Sequence, residues 1–336
     1  MNLTGRKETL LLYNKFSQYL KNKYGSKVYK LPLNLPVTCP NRDGTLGSSA
    51  CIFCGEEGAG FENLSCEMTV AEQLDQNTRY IGKNYGSEKF IAYFQNYSNT
   101  YMPYDLFEKN ISQACREGIV AIYISTRPDC IADRYMEFLA GLKKNKGIDI
   151  VIELGLQTVN YHTLKLLNRG HTLAEFIDAA IRIRKYGLEV CAHYITDLPM
   201  DNIEDVIEGA KIISALGVSQ VKCHSLYILK GTELERMYSR GEVKPITVEE
   251  FIDRTVTFLE YLNPDIVVQR LIGRAPAERT VFCNWDTSWW KLQDMIEAKM
   301  TGLQTYQGRH FIYLNGKTRL GIFEGQLHKI SASFGG

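Results

Sequence analysis

The segment Val28-Tyr-Lys-Leu-Pro-Leu-Asn-Leu35 runs almost at once into Cys39-Pro-Asn-Arg-Asp-Gly-Thr-Leu-Gly-Ser-Ser-Ala-Cys51-Ile-Phe-Cys54-Gly55. The first part reads as a β-strand and the second as a loop that three cysteines punctuate. Pro40, Gly44, Gly47 and Gly55 let the loop backbone turn tightly around a bound group. A cysteine loop at the end of a first strand is where barrel enzymes place their chemistry. Three thiolates on a four-iron cluster leave one iron without a protein ligand, whereas an electron-transfer cluster takes four cysteines. The open iron can chelate the amino and carboxylate groups of a methionine moiety, and Phe53 suits a residue that shields the cluster or packs on adenine. The alternative is a structural zinc site with Cys66 as fourth ligand. Cys54 to Cys66 repeats the spacing of Cys39 to Cys51, but zinc sites usually pair two close ligand units, and the sequence holds one.

Working outward, short β-rich runs alternate with amphipathic stretches. The runs are Val28–Leu35, Lys89–Gln95, Ile119–Ser125, Asp149–Gln157, Leu188–Ile195 and Val218–Ile228. Their usual spacing of about thirty residues is that of a βαβ unit. Thr69-Val-Ala-Glu72, Thr172-Leu-Ala-Glu175 and Thr247-Val-Glu-Glu250 each fit a capping box that opens a helix. Gly118, Gly187 and Gly217 stand where helices must end in a left-handed residue before the next strand. Alternating α and β with near-continuous apolar strands predicts a parallel sheet covered by helices. The expected fold is α/β: an N-terminal helix in residues 1–25, a partial (β/α)6 barrel over 26–245, and a C-terminal α+β cap over 246–336. The cap should hold a helix at Val248–Leu262, an extra strand at Ile266–Leu271, a Trp-rich helix at Trp285–Thr301, and a hairpin over Phe311–Leu320 turning at Asn315-Gly316.

The 336 residues are 45% hydrophobic and 23% charged, with a net charge of +1, so no global field draws the chain to nucleic acid or to a membrane. The apolar runs are too short to span a bilayer. The N-terminus lacks the apolar core of a signal peptide, which predicts a cytoplasmic enzyme. Nine cysteines cannot all pair, and a cluster of three in such a chain reads as metal-binding or catalytic before structural.

The cysteine segment resembles the YhcC/YtqA-like (MnmL-like) family of radical-SAM proteins, relatives of the elongator catalytic subunit. The resemblance extends through Phe94-Gln-Asn-Tyr-Ser-Asn-Thr-Tyr101, Ser125-Thr-Arg-Pro-Asp129, Glu153-Leu-Gly-Leu-Gln-Thr158, Leu167-Asn-Arg-Gly-His-Thr172, His224-Ser-Leu-Tyr227 and Lys230-Gly-Thr232. The gap between the first two cysteines is longer than the commonest radical-SAM spacing and is the one expected in this family. The stretch Asp197-Leu-Pro-Met-Asp201 departs from the family's usual Gly-Leu-Pro-Gly-Glu.

The resemblance implies a [4Fe–4S] cluster on Cys39, Cys51 and Cys54, with S-adenosylmethionine lying across the C-terminal strand ends. Gln95 and Tyr97 occupy the place of the Gly-Gly-Glu segment that binds the methionine amine in most radical-SAM enzymes. Glu153 and Gln157 fit ribose and carboxylate contacts. Gln157 and Arg169 match cofactor-binding residues of oxygen-independent coproporphyrinogen oxidase, in which an Asp stands where His193 does here. The implied substrate is a tRNA anticodon loop, at a wobble uridine whose carboxymethylaminomethyl group becomes aminomethyl. A one-electron donor such as flavodoxin or ferredoxin is then required. Arg270, Arg274 and Arg279 with Trp285, Trp289 and Trp290 form a candidate RNA-contacting edge. The competing readings are a radical-SAM enzyme acting on a small metabolite or protein, and a zinc-stabilised RNA-binding module without catalysis.

Overall fold

The computed structural model describes residues 11–46, 49–55, 58, 60 and 63–316. In chain order the elements are α1 (Phe16–Tyr24), β1 (Val28–Leu33), α2 (Val70–Tyr85), β2 (Lys89–Phe94), α3 (Tyr104–Gln113), β3 (Ile119–Thr126), α4 (Asp133–Lys146), β4 (Asp149–Gln157), α5 (Tyr161–Leu166), α6 (Leu173–Lys185) and β5 (Glu189–Ile195). They continue with α7 (Ile203–Ala215), β6 (Gln220–His224), β7 (Tyr227–Leu229), α8 (Glu233–Ser239), α9 (Val248–Tyr261), β8 (Val267–Arg270), β9 (Thr280–Cys283) and α10 (Trp289–Gly302).

The local signals act as read. Thr69 and Thr172 each close a full capping box with Glu72 and Glu175. Thr247 caps α9 through the Glu250 amide, but the Glu250 carboxylate turns instead to Arg254. Gly118, Gly187 and Gly217 all have positive φ.

One parallel sheet runs β1-β2-β3-β4-β5-β6-β8 and curls into a half-barrel. All six expected strands take part. The extra strand of the C-terminal region becomes the seventh, β8, pairing parallel to β6 through Gln220↔Val267 and Val221↔Val268. The expected last run, Val218–Ile228, divides. Asp197 accepts both carboxylate bonds from the Leu226 amide, at 2.8 and 2.9 Å, and Gly273 donates to Ser225 Oγ. These bonds turn the chain out of the barrel, so that β7 pairs antiparallel with β9. The Trp-rich helix begins at Trp289 rather than Trp285, because Asn284, Trp285 and Asp286 all have positive φ. The hairpin expected over 311–320 lies partly outside the described residues, and residues 311–316 form bends and a turn without a strand.

The main core packs the outer sheet face against the helices, with Phe107, Phe176, Phe251 and Phe258 fully buried. A second cluster fills the bottom of the barrel. Leu20 joins Ile91, Tyr93, Tyr123, Val151 and Cys191, with Phe16 and Tyr19 packed against them. Helix α1 packs on both β1 and β8, spanning the seam between the first and last strands. It stoppers the N-terminal end and leaves the C-terminal end open to ligand.

Candidate active site

The cysteine loop leaves β1 and is pinned from three directions. The Arg42 amide donates to the Cys39 carbonyl (2.7 Å) and the Cys54 amide to the Cys51 carbonyl (2.9 Å), so each cysteine starts or ends a tight turn. The Ile52 amide donates to Leu167 O, and the Leu234 amide to Ile52 O. Asn41 donates to the Asn168 carbonyl, while Asn168 donates back to the carbonyls of Ser49 and Ala50. The loop therefore docks on Leu167-Asn-Arg-Gly-His171. Gly170 is required there, because its φ is +68° and an added Cβ would stand 2.5 Å from Asn41 Oδ1.

Each cysteine sulfur faces its own arginine. Arg169 Nη1 lies 3.2 Å from Cys51 Sγ, Arg42 Nη1 lies 3.6 Å from Cys54 Sγ, and Arg127 Nη1 lies 3.9 Å from Cys39 Sγ. Asn41 Nδ2 adds a 3.4 Å contact to Cys51. Burial pushes the Cys54 thiol up, and Arg42 beside it opposes that rise. The three sulfurs do not all lie within 4.8 Å of one another. Tetrahedral zinc, with Zn–S bonds of about 2.3 Å, would draw them to within roughly 4 Å. A wider cluster with iron at its corners fits this donor set.

A cavity of about 710 Å³ opens beside the loop, within the range of about 300–1,000 Å³ common for ligand pockets. Its walls carry the nine residues expected to hold the cluster and cofactor: Cys39, Cys51, Cys54, Gln95, Tyr97, Glu153, Gln157, Arg169 and His193. Cys66, the fourth ligand of the zinc reading, is not among the lining residues. Tyr97 and Gln157 hold φ of +53° and +71°. That conformation is uncommon for residues with a side chain, and at Gln157 it accompanies a shift of register between β4 and β5.

Below this rim lies a layer of charge to which nearly every strand contributes. Glu153 of β4 is fully buried; it accepts from Lys30 of β1 at 2.7 Å, His193 of β5 at 2.8 Å and Lys222 of β6 at 3.1 Å. Lys222 also donates to Tyr93 of β2 at 2.6 Å, and Lys30 to Gln269 of β8 at 2.7 Å. Burial alone would raise the Glu153 carboxyl, but Lys222, Lys30 and His193 override it and hold it well below the usual carboxylate range. Burial, helped by Lys222 and opposed by Glu153, draws His193 down to about 4. Burial draws Lys222 down to about 7 against the pull of Glu153, with Lys30 and Arg270 pushing the same way as burial. His193 is therefore neutral at pH 7. Glu153 and His193 also approach Cys191 closely, but the two flanking ammonium groups oppose a metal cation there.

Sequence reading did not find Lys30, Lys222 and Gln269, or the pairing of Arg42 and Arg127 with cysteines. A single lysine in a strand carries no signal until the barrel closes and turns it inward. The expected Arg/Trp edge splits. Arg270 lies in the cavity and donates to His224 Nδ1 at 2.8 Å, and Arg274 stacks over Trp289 at 3.9 Å. Arg279 lines a neighbouring cleft, Trp285 packs on Phe251, and Trp290 remains exposed.

A family model described as the Radical SAM superfamily matches residues 34–213, and one described as the Radical_SAM C-terminal domain matches 218–301. A half-barrel whose first strand delivers a three-cysteine loop thus defines a radical SAM enzyme, with a [4Fe–4S] cluster and S-adenosylmethionine as its cofactors. YtqA of Bacillus subtilis is 32% identical over 92% of this chain and 95% of its own length. Similarity at that level over almost all of both chains places this protein in the YhcC/YtqA-like family. A tRNA uridine(34) acetyltransferase of Methanocaldococcus infernus is 30% identical over 49% of this chain, though that match spans 30% of the acetyltransferase. The structure of the archaeal Elp3 of the same organism superposes with a TM-score of 0.65 at 20% identity, covering 83% of this chain and 64% of that one. The zinc-stabilised module without catalysis gives way to the radical SAM enzyme. No helix among the described residues is long and apolar enough to cross a membrane.

Proposed function

We propose that this radical SAM enzyme modifies the wobble uridine of tRNA, converting carboxymethylaminomethyl at C5 to aminomethyl and beginning with removal of hydrogen from the glycine-like methylene. The observation that carries the substrate class is the match between 49% of this chain and a tRNA uridine(34) acetyltransferase. The cavity supports it. Among its described lining residues Lys30, Arg42, Arg169, Lys222, Arg270 and Arg274 stand against one carboxylate, Glu153, while Arg127 is paired with Asp129, in a chain of net charge +1. A local basic pocket of this kind suits an anionic substrate arm.

When bound, a reduced [4Fe–4S] cluster would supply the electron for reductive cleavage of S-adenosylmethionine. Cys39, Cys51 and Cys54 would hold three irons, with Arg42, Arg127 and Arg169 offsetting the negative charge of the thiolates. Gln95 and Tyr97 would hold the methionine end and Gln157 and Arg169 would contact the rest of the cofactor; all four line the cavity. Glu153 already accepts from two lysines and the neutral His193, so it and His193 act mainly by holding the floor rigid. The protein's contribution is orientation and exclusion of water. The electron comes from a donor of the flavodoxin or ferredoxin type, and the site of action is the cytoplasm.

The test combines reduced holoenzyme, S-adenosylmethionine and tRNA carrying the carboxymethylaminomethyl group. The nucleoside should lose the mass of its carboxymethyl unit, and deuterium placed at the methylene should appear in 5′-deoxyadenosine. Absence of tRNA binding at any salt concentration would end the RNA assignment and leave the radical chemistry with another substrate.

A further inference from the structure

The charges of the cavity divide into two groups. Arg42, Arg127 and Arg169 each face a cysteine sulfur. In the strand layer, Glu153 is the one carboxylate lining the cavity near Lys30, Lys222 and Arg270. Glu153 offsets a single positive charge there. Arg270, at the end of β8, donates to the neutral ring of His224 and pairs with no carboxylate among the described residues, while its Nε is buried without a partner. Buried or half-buried charge of one sign is costly unless an opposite charge completes it. Arg270 lines the cavity from the last strand, so its charge is available to an anion bound there.

We infer that Arg270, supported by Lys222 and His224, is the anchor for a carboxylate on the substrate and selects substrates that carry one. This rests in part on the tRNA reading, in which the carboxylate is that of the carboxymethylaminomethyl arm, but the charge arrangement stands without it. A guanidinium suits the role because its planar donor array matches a carboxylate and its charge persists whatever its neighbours do. His224, whose burial and proximity to Arg270 keep it neutral, orients the guanidinium without cancelling its charge. The geometry also gives the arm a direction. Its carboxylate end would face β8, presenting the adjacent methylene toward the middle of the cavity.

The deciding experiment uses holoenzyme with S-adenosylmethionine bound and follows its thermal midpoint against N-methylglycine and succinate, with their amides and inorganic phosphate as controls. The carboxylates should stabilise the wild type and the amides should not. Arg270→Gln should lower the apparent carboxylate affinity at least tenfold while iron content and S-adenosylmethionine affinity hold, and Arg270→Lys should restore part of it. An unchanged carboxylate response in Arg270→Gln overturns the inference. So does an equal loss of S-adenosylmethionine affinity, which would assign Arg270 to the cofactor, and so does a stronger response to phosphate than to carboxylates. A second arm compares tRNA bearing carboxymethylaminomethyluridine with tRNA bearing methylaminomethyluridine. If neither tRNA binds while the carboxylates do, the wobble-uridine reading fails and the carboxylate anchor stands.

Discussion

Arg169 reaches across 118 positions of sequence to place Nη1 3.2 Å from Cys51 Sγ, while its Nη2 donates to the Gly155 carbonyl at 3.0 Å. One guanidinium thus ties the cysteine loop to the end of β4, the two segments between which the cofactor would lie. Replacing Arg169 with Ala removes a charge-assisted contact to the thiolate and the support of the β4 terminus. S-adenosylmethionine binding should weaken by about ten- to a hundredfold, the equivalent of ~1.5–3 kcal/mol. The cluster potential should also become more negative, since a nearby positive charge is lost. Equilibrium binding and a redox titration of the reconstituted enzyme measure the two effects separately. An unchanged affinity would mean that Arg169 serves the loop alone.

The same contact can be reached from Gly155. A Cβ there would stand 2.9 Å from Arg169 Nη2 and 3.0 Å from Gln157 Nε2, both at the ends of long side chains. Those ends can swing away at small energetic cost, so Gly155→Ala should fold with nearly normal stability. It should nevertheless bind S-adenosylmethionine several-fold more weakly because Arg169 is displaced. Circular dichroism melts beside binding isotherms would separate fold from function.

Substituting Ala for Cys39, Cys51 or Cys54 should abolish bound iron and cofactor cleavage in anaerobically purified protein, since no neighbouring thiol lines the cavity in its place. Cys66→Ala should retain close to four irons per chain and the brown colour. Iron and sulfide assays decide the matter, and equal metal loss in Cys66→Ala would revive the zinc reading.

Glu153 is fully buried among three donors that need it. Glu153→Ala leaves Lys30 and Lys222 without their common counter-charge and should destabilise the fold by about 3–5 kcal/mol, with Glu153→Gln costing less. Chemical denaturation gives the value. A loss below 1 kcal/mol would mean that water enters the barrel freely.

The neutral His193 makes stability depend on acid. Its proton affinity is lowered from the ordinary 6.5 to about 4 in the fold, so between those values the unfolded chain binds the extra proton. The native state should therefore lose stability as pH falls from about 6.5 toward 4. Glu153 adds to this lower down, because its stabilisation is present above about 4.5 and is lost as pH falls through its depressed native value. Unfolding free energies at several pH values should show a shallower slope between 6.5 and 4 in His193→Gln. An identical slope would place the acid sensitivity on other buried groups.

What the amino-acid sequence determined by itself is local. Period and spacing determined six strands, capping boxes began helices at Thr69 and Thr172, and the cysteine loop with its glycines announced a ligand between short-range neighbours. The later residues, from Gln95 to His193, were singled out through the family resemblance, and the fold brings them to one cavity wall. Tertiary structure alone decided which charges meet. Lys30, Glu153 and Lys222 lie on three separate strands, and only the parallel register and the curl of the sheet bring them into one layer. Arg270 faces the cavity because Val267–Arg270 leaves the C-terminal region to become the seventh strand. The physical reason is range. Caps and periodicity act over a few residues and leave marks in sequence, whereas electrostatic partnership across a barrel depends on closure, which no short stretch encodes.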